Sequence, residues 1–181
     1  GKTYYYKARV WRGSESFVSD EIAAFAGPSY RWLLIRITAN NGNTYTSMQE
    51  IEIASEVDGP DITRPYPENG YSQSSFYAPL GNNASKLIDN NLIDYTNSAW
   101  VSGGYALEHW VAIDLKEQRS MSQVKIYAQN YAEGLFRAPK DFKIQGSNDG
   151  VTFDDIATFT DVTGWTLGVP KVFNLLTKTY I

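Results

Sequence analysis

Three segments of the chain alternate apolar and polar residues with a period of two. Val111, Ile113 and Leu115 are interleaved with Ala112 and Asp114, Phe142 and Ile144 with Lys143 and Gln145, and Ile51 and Ile53 with Glu50 and Glu52. Successive side chains of a strand point to opposite faces, so this period predicts strands with one apolar face each, as a two-sheet sandwich needs. Short apolar or aromatic runs between Gly, Asn, Asp and Pro extend the prediction to Tyr4–Trp11, Tyr30–Thr38, Met48–Ala54, Trp110–Leu115, Gln123–Gln129, Phe142–Gln145, Ile156–Phe159 and Val172–Leu176. Asn41-Gly42 and Asp149-Gly150 read as hairpin turns, because both favour positive φ. Only Ala84–Asp89 is helix-like, for about one turn. The expected fold class is all-β, an antiparallel β-sandwich over roughly residues 28–176 with almost no helix.

Composition supports a packed domain. Of 181 residues, 43% are hydrophobic and 20% charged, enough for a core and unlike a disordered chain. The 13 Tyr and 5 Trp suit strands, and they equally suit wet binding surfaces that stack on flat ligands. Net charge is −4, the isoelectric point is about 5, and no Lys/Arg cluster stands out, which argues against nucleic acid as a partner. The absence of cysteine removes disulfides, thiolate metal sites and a Cys nucleophile. No apolar run is long enough to span a membrane and no signal peptide is recognisable. A start at Gly1 reads as an internal piece of a longer protein.

Gly27-Pro28 marks an expected boundary, dividing residues 1–27 from a main domain over 28–181. The front piece carries Tyr4-Tyr5-Tyr6-Lys7-Ala8-Arg9-Val10, then Gly13-Ser14-Glu15-Ser16, then Val18-Ser19-Asp20-Glu21-Ile22. This pattern resembles the last two strands of a fibronectin type III domain. A two-stranded ribbon is marginal alone and has to pack on something.

The main domain resembles a discoidin (coagulation factor type C) domain, a galactose-binding-like jelly roll. The resemblance is carried by Ala84-Ser85-Lys86-Leu87-Ile88-Asp89-Asn90-Asn91 followed by Trp100, by Trp110-Val111-Ala112-Ile113-Asp114-Leu115, by Ala138-Pro139-Lys140-Asp141-Phe142 running on to Ser147-Asn148-Asp149-Gly150, and by Gln49-Glu50-Ile51-Glu52-Ile53. In the family the last of these closes the domain, whereas here it comes first. The order is therefore that of a circular permutation with Tyr30–Ala54 at the front, and permuted modules beside fibronectin pieces resemble those of phage tails and other virions. The resemblance implies a non-catalytic carbohydrate-binding or adhesion module, extracellular or on a virion. The alternative is a structural module that contacts other subunits of a surface assembly, oligomers included, without a glycan ligand.

The candidate chemistry points the same way. The one histidine, His109, has no Gly-x-Ser-x-Gly elbow or phosphate loop to serve, and reads as a water-exposed residue at a strand start. Asp154 and Asp155 are adjacent on a strand, face opposite ways and read as solvated. The loop from Leu87 to Ser98 gathers Asp89, Asn91, Asp94, Thr96 and Ser98, the oxygen-rich composition that a hard cation requires. The family resemblance implies one structural Ca²⁺ there, with Glu50, the Leu87 carbonyl, Asp89, Asn91, Asp94 and Thr96 as candidate ligands. A metal-free, Asx-rich turn accounts for the same residues. The resemblance also places the ligand on loops at one end of the sandwich. The candidate loops are Tyr71–Tyr77, Ser102–Tyr105, Asn130–Arg137 and Gly164–Leu167, while Trp100 and Trp110 read as core. The candidate residues are Tyr105, Trp165 and above all Asn130, Tyr131, Glu133 and Arg137 of the Asn130–Arg137 loop. Tyr131 would stack on a neutral or mildly polar sugar, and Asn130 and Arg137 would bond its hydroxyls.

Overall fold

In a computed structural model of the chain, residues 27–104 and 108–175 are described in full, and before them the backbone of four short strands. Those four are β1 (Thr3–Tyr6), β2 (Arg9–Arg12), β3 (Glu15–Val18) and β4 (Ile22–Phe25). They pair antiparallel as β1 with β4 and β2 with β3. The candidate Tyr105 lies outside the described residues.

From Tyr30 onward the segments predicted as strands do form strands, with shifted ends, and two short strands that the sequence pattern does not predict, at 70–73 and 100–101, join them. They are β5 (Ser29–Asn40), β6 (Ser47–Met48), β7 (Glu50–Ala54), β8 (Gly70–Gln73), β9 (Trp100–Val101), β10 (His109–Ser120), β11 (Gln123–Tyr127), β12 (Pro139–Ser147), β13 (Asp154–Phe159) and β14 (Lys171–Asn174). One sheet has the order β13-β12-β5-β10-β8, and a second has β14-β11-β7; β6 and β9 form a short pair beside the latter. All pairings are antiparallel. Tyr30–Ala54 is fully integrated: β5 lies between β10 and β12, and β7 pairs with β11.

Alternation decides what lies between the sheets. Leu33, Ile35 and Ile37 of β5, Val111 and Ile113 of β10 and Phe142 and Ile144 of β12 meet Ile51, Ile53, Val124, Ile126 and Phe173 from the other sheet in one core cluster. Trp100 closes one end with no exposed surface, its indole N–H donating to the Ser75 carbonyl at 2.9 Å. Each such side chain contributes roughly 1.5–3 kcal/mol by leaving water.

Five expectations change. His109 is buried, not exposed. It continues the inward register of Val111 and packs edge-on to Trp100, with Nδ1 3.5 Å from the Ser75 hydroxyl. Trp110 takes the opposite face, opposite Arg36 on β5, and is only partly buried. Asn41-Gly42 does not close a hairpin. Gly42 has the positive φ expected, but the turn hands the chain from one sheet to the other, held by the Asn40 side chain, which bonds the Asn43 and Tyr45 carbonyls and the Gly42 amide. Within the expected Tyr71–Tyr77 loop, β8 forms an edge strand, and Ala132–Arg137 forms a helix, α1. Neither carries a strong period: β8 has no apolar alternation and α1 is six residues long. Asp149-Gly150 does turn β12 into β13, with Gly150 at φ 74°.

On the far side of β10, Asp114 is 3% exposed and is gripped on both oxygens by Arg31, at 2.8 and 2.9 Å. The backbone N–H of Lys116 donates to it at 2.8 Å, and the Lys116 ammonium lies at 3.2 Å. Burial alone would favour the neutral acid, but the Arg31 and Lys116 hydrogen bonds outweigh it and hold the Asp114 pKa near 2, below the ordinary 3.8. A depressed carboxylate pKa stabilises the fold above the unfolded value, and that stability is lost as pH falls through the folded one. Asp114→Asn is therefore expected to cost about 2 kcal/mol at neutral pH and to flatten the loss of stability between about pH 4 and pH 2. Urea melts of both proteins across that range check it.

Candidate functional site

At one end of the sandwich the chain between the 3-10 turn Ala84–Ile88 and β9 runs as a loop without a strand partner. Its carbonyls need donors, because a buried carbonyl left unpaired costs the full loss of its hydration. Four amide side chains supply them. Gln49 donates to the carbonyls of Asn91, Asp94 and Ser98. Asn82 donates to Thr96 and Ala99, Gln129 to Tyr95, and Asn130 to Leu92. Because each amide nitrogen is committed to a carbonyl, the side-chain oxygen of each amide is fixed on the other side. Those of Asn82 and Gln129 are buried with no hydrogen-bond partner.

Asn82 and Gln129 both line a cavity of about 280 Å³, near the small end of ligand-site volumes. Its walls are aromatic. Tyr45, on the connection from β5 to β6, meets Tyr77 edge-on at 5.9 Å, and Tyr95, on the pinned loop, stacks on Tyr131 at 5.1 Å. Arg137, the last residue of α1, lies over the Tyr45 and Tyr131 rings at 5.3 and 5.4 Å. Burial raises the Tyr131 pKa above its usual value, with the Arg137 charge opposing the shift, so the phenol stays a neutral hydrogen-bonding group. Leu80 and Val101 complete an apolar strip. The chemistry is that of a polyol pocket: flat apolar surfaces for C–H faces, and fixed acceptors and donors for hydroxyls.

A family model described as a NedA-like, galactose-binding domain matches residues 86–179, which is 94 of the chain's 181 residues. The chain belongs to this galactose-binding family. No curated protein and no solved structure matches it. The matched part of this galactose-binding domain contributes Tyr95, Gln129, Tyr131 and Arg137 to the cavity, and residues before the match contribute Tyr45, Tyr77 and Asn82.

Of the ligand-site residues read from the sequence, Tyr131 and Arg137 line the cavity. Asn130 stands behind them, its backbone N–H on the Gln49 side-chain oxygen and its amide on Leu92. Glu133 is exposed in the first turn of α1. Trp165 is 7% exposed in the core, its indole N–H on the Pro139 carbonyl, so it is not a wall of this cavity. Tyr45, Tyr77, Asn82, Tyr95 and Gln129 join the site; of these Tyr77 belongs to a loop that the sequence singles out for a ligand, and Tyr95 to the loop that it singles out for a cation.

The pinned loop also carries the carboxylate chemistry. Glu50, at the start of β7, is 1% exposed and neither carboxylate oxygen has a hydrogen-bond partner. Burial, then the charges of Asp89 and Asp61, push its pKa to about 9, only partly offset by the backbone N–H groups of Ile51 and Asn90. Asp89 accepts from the Asn91 backbone and from the Ser98 hydroxyl. The side chains of Asn91 and Asp94 accept from the amides of their own turns. Leu87 is buried in the core cluster, and Thr96 holds its carbonyl to Asn82. Among the described residues no group of three or more His, Cys, Asp or Glu side chains is placed to hold a metal, so a cation at Glu50 needs main-chain or amide oxygens as well.

Gly134 sets how closely α1 approaches this end. A Cβ there would lie 2.1 Å from the Gln129 carbonyl oxygen. Gly134→Ala is expected to destabilise the fold by about 1–3 kcal/mol through overpacking, despite the better helix propensity of Ala. A thermal melt that shows the variant more stable than the parent contradicts this close approach.

Proposed function

We propose that the chain is a non-catalytic carbohydrate-binding module whose sugar site is the cavity between the Tyr45–Tyr77 and Tyr95–Tyr131 pairs. The observation that carries the proposal is the meeting, in one cavity, of aromatic walls with the unpartnered side-chain oxygens of Asn82 and Gln129. Tyr131 already lies against Tyr95 and beneath Arg137, so it serves as a wall. Tyr95, 44% exposed, is the ring open to a sugar face. An open cavity of this size buries little surface, so affinity is expected in the millimolar to micromolar range, about 4–8 kcal/mol, multiplied by avidity where copies cluster.

A glycan array on the chain, followed by titration of Tyr95→Ala and Tyr131→Ala, tests this. Each substitution is expected to weaken glycan binding by about tenfold or more, since a lost aromatic contact is worth about 1.4 kcal/mol, while far-ultraviolet circular dichroism is unchanged. If both variants bind like the parent, the cavity is the wrong site. The competing proposal, a subunit-contact module, draws on Leu80, Ile93 and Phe136, exposed apolar residues on the same loops and helix. A parent chain that ignores the array selects it.

The proposal includes one structural calcium ion. Glu50, whose buried carboxyl has no partner, and Asp89 would hold it with main-chain oxygens such as that of Leu87. The roles inferred for Asn91, Asp94 and Thr96 belong to the same expectation. The ion would supply positive charge to two neighbouring carboxylates and tie β7 to the pinned loop. Calcium at about a hundred times its dissociation constant is expected to stabilise the parent by about 3 kcal/mol and to leave Glu50→Gln unchanged. If the melting temperature of the parent ignores both calcium and chelator, no such ion belongs there.

An extracellular or virion setting, and residues 1–27 as the tail of a fibronectin type III-like domain, complete the proposal. So does a circularly permuted strand order. It is supported by β5 and β7, which precede the matched residues yet pair with β10, β11 and β12.

A further inference from the structure

The sequence leads to a neutral or mildly polar sugar, but the charge inside the cavity does not. Among the described residues lining it, Arg137 is the one ionised group, and none is Asp or Glu. Its Nε is buried without a hydrogen-bond partner. Among the described residues the ion pairs engage Arg31, Arg36, Lys116, Arg119, Lys125, Lys140 and Lys143, and none engages Arg137. Glu133 sits four residues earlier on α1, a spacing that often pairs charges, yet it closes no ion pair with Arg137.

What holds the guanidinium is the two ring faces of Tyr45 and Tyr131. Cation–π contact attracts the charge but satisfies none of the five N–H donors, which lie in the guanidinium plane. A partly buried cation without a counter-ion is costly, and a planar fork immobilised between rings loses little further freedom when an anion arrives. A carboxylate matches that fork in shape and charge and can accept two parallel charge-assisted hydrogen bonds from it, where a hydroxyl accepts one without a counter-charge. The unpartnered oxygens of Asn82 and Gln129 accept hydrogen bonds and repel an anion, so they suit the hydroxyl end of the same ligand.

We infer that the cavity selects an acidic sugar, its carboxylate on Arg137 and its hydroxyls on Asn82 and Gln129. This rests on the carbohydrate-binding proposal above and names its ligand class. The test titrates the full chain at neutral pH with D-galacturonic acid, N-acetylneuraminic acid, D-galactose and sodium acetate, following chemical shifts. At least one acidic sugar is expected to bind about tenfold or more tightly than galactose, with acetate far weaker. Raised salt should narrow the gap. Arg137→Gln should remove the preference for the acid, bringing the acidic sugar and galactose to similar affinity. Arg137→Lys, which keeps the charge and loses the fork, should restore only part of it. Galactose binding as tightly as both acidic sugars overturns the inference and leaves the carbohydrate proposal standing. Acetate binding as tightly as the acidic sugars overturns it in favour of a simple carboxylate site. Binding by none of the four overturns the inference, and a blank glycan array would take the carbohydrate proposal with it. The preference of the parent is read without any variant, so misfolding of an Arg137 variant does not spare the inference.

Discussion

The end of the sandwich depends on how one strandless loop satisfies its carbonyls. Seven of them, from Asn91 to Ala99, accept from the amides of Gln49, Asn82, Gln129 and Asn130. A ladder would have done this with backbone alone, but a ladder leaves no cavity. Side-chain donors hold the loop at a distance from its neighbours, and the space between becomes the pocket. The same arrangement commits the nitrogen of each amide and strands the oxygens of Asn82 and Gln129. A structural solution to backbone satisfaction thus creates the polar inventory of the site.

Two unpaired charges mark this end of the molecule, and they differ in kind. Glu50 is almost fully buried next to Asp89, and both effects favour its neutral form. Arg137 is a cation held against the faces of two rings. By contrast, Asp114 on the opposite face of β10 is saturated by Arg31 and Lys116. Saturated charges hold a fold together, whereas unsaturated ones are open to a ligand. The pinned loop connects the two open charges, since it runs from Asp89 to Tyr95, which stacks on Tyr131 under Arg137.

The family relationship fits this division. The matched residues 86–179 hold both the loop and α1. The earlier residues add β5 and β7 to the sheets and Tyr45, Tyr77 and Asn82 to the cavity. Neither part builds the site alone.

By itself the amino-acid order determined the sandwich and its inner face, because a period of two needs only neighbours along the chain. Ile51, Ile53, Val111, Ile113, Phe142 and Ile144 are all buried as their alternation requires. It also drew attention to Tyr131 and Arg137, since an aromatic and a cation beside turn residues stand out locally. It misjudged His109, although the same alternation puts that residue inside, because a lone polar residue at a strand start resembles solvent-facing sequence. Tyr45, Asn82, Tyr95 and Gln129 carried no local signal. Their neighbours in the cavity are up to 92 residues away along the chain, the separation of Tyr45 and Arg137, and an Asn in a turn looks the same whether it faces water or pins a distant carbonyl. Only the tertiary structure decided which amides bond the loop, which oxygens are left over, and that Arg137 meets two rings and no acid. Those outcomes depend on long-range packing geometry, which no local pattern of apolar and polar residues encodes.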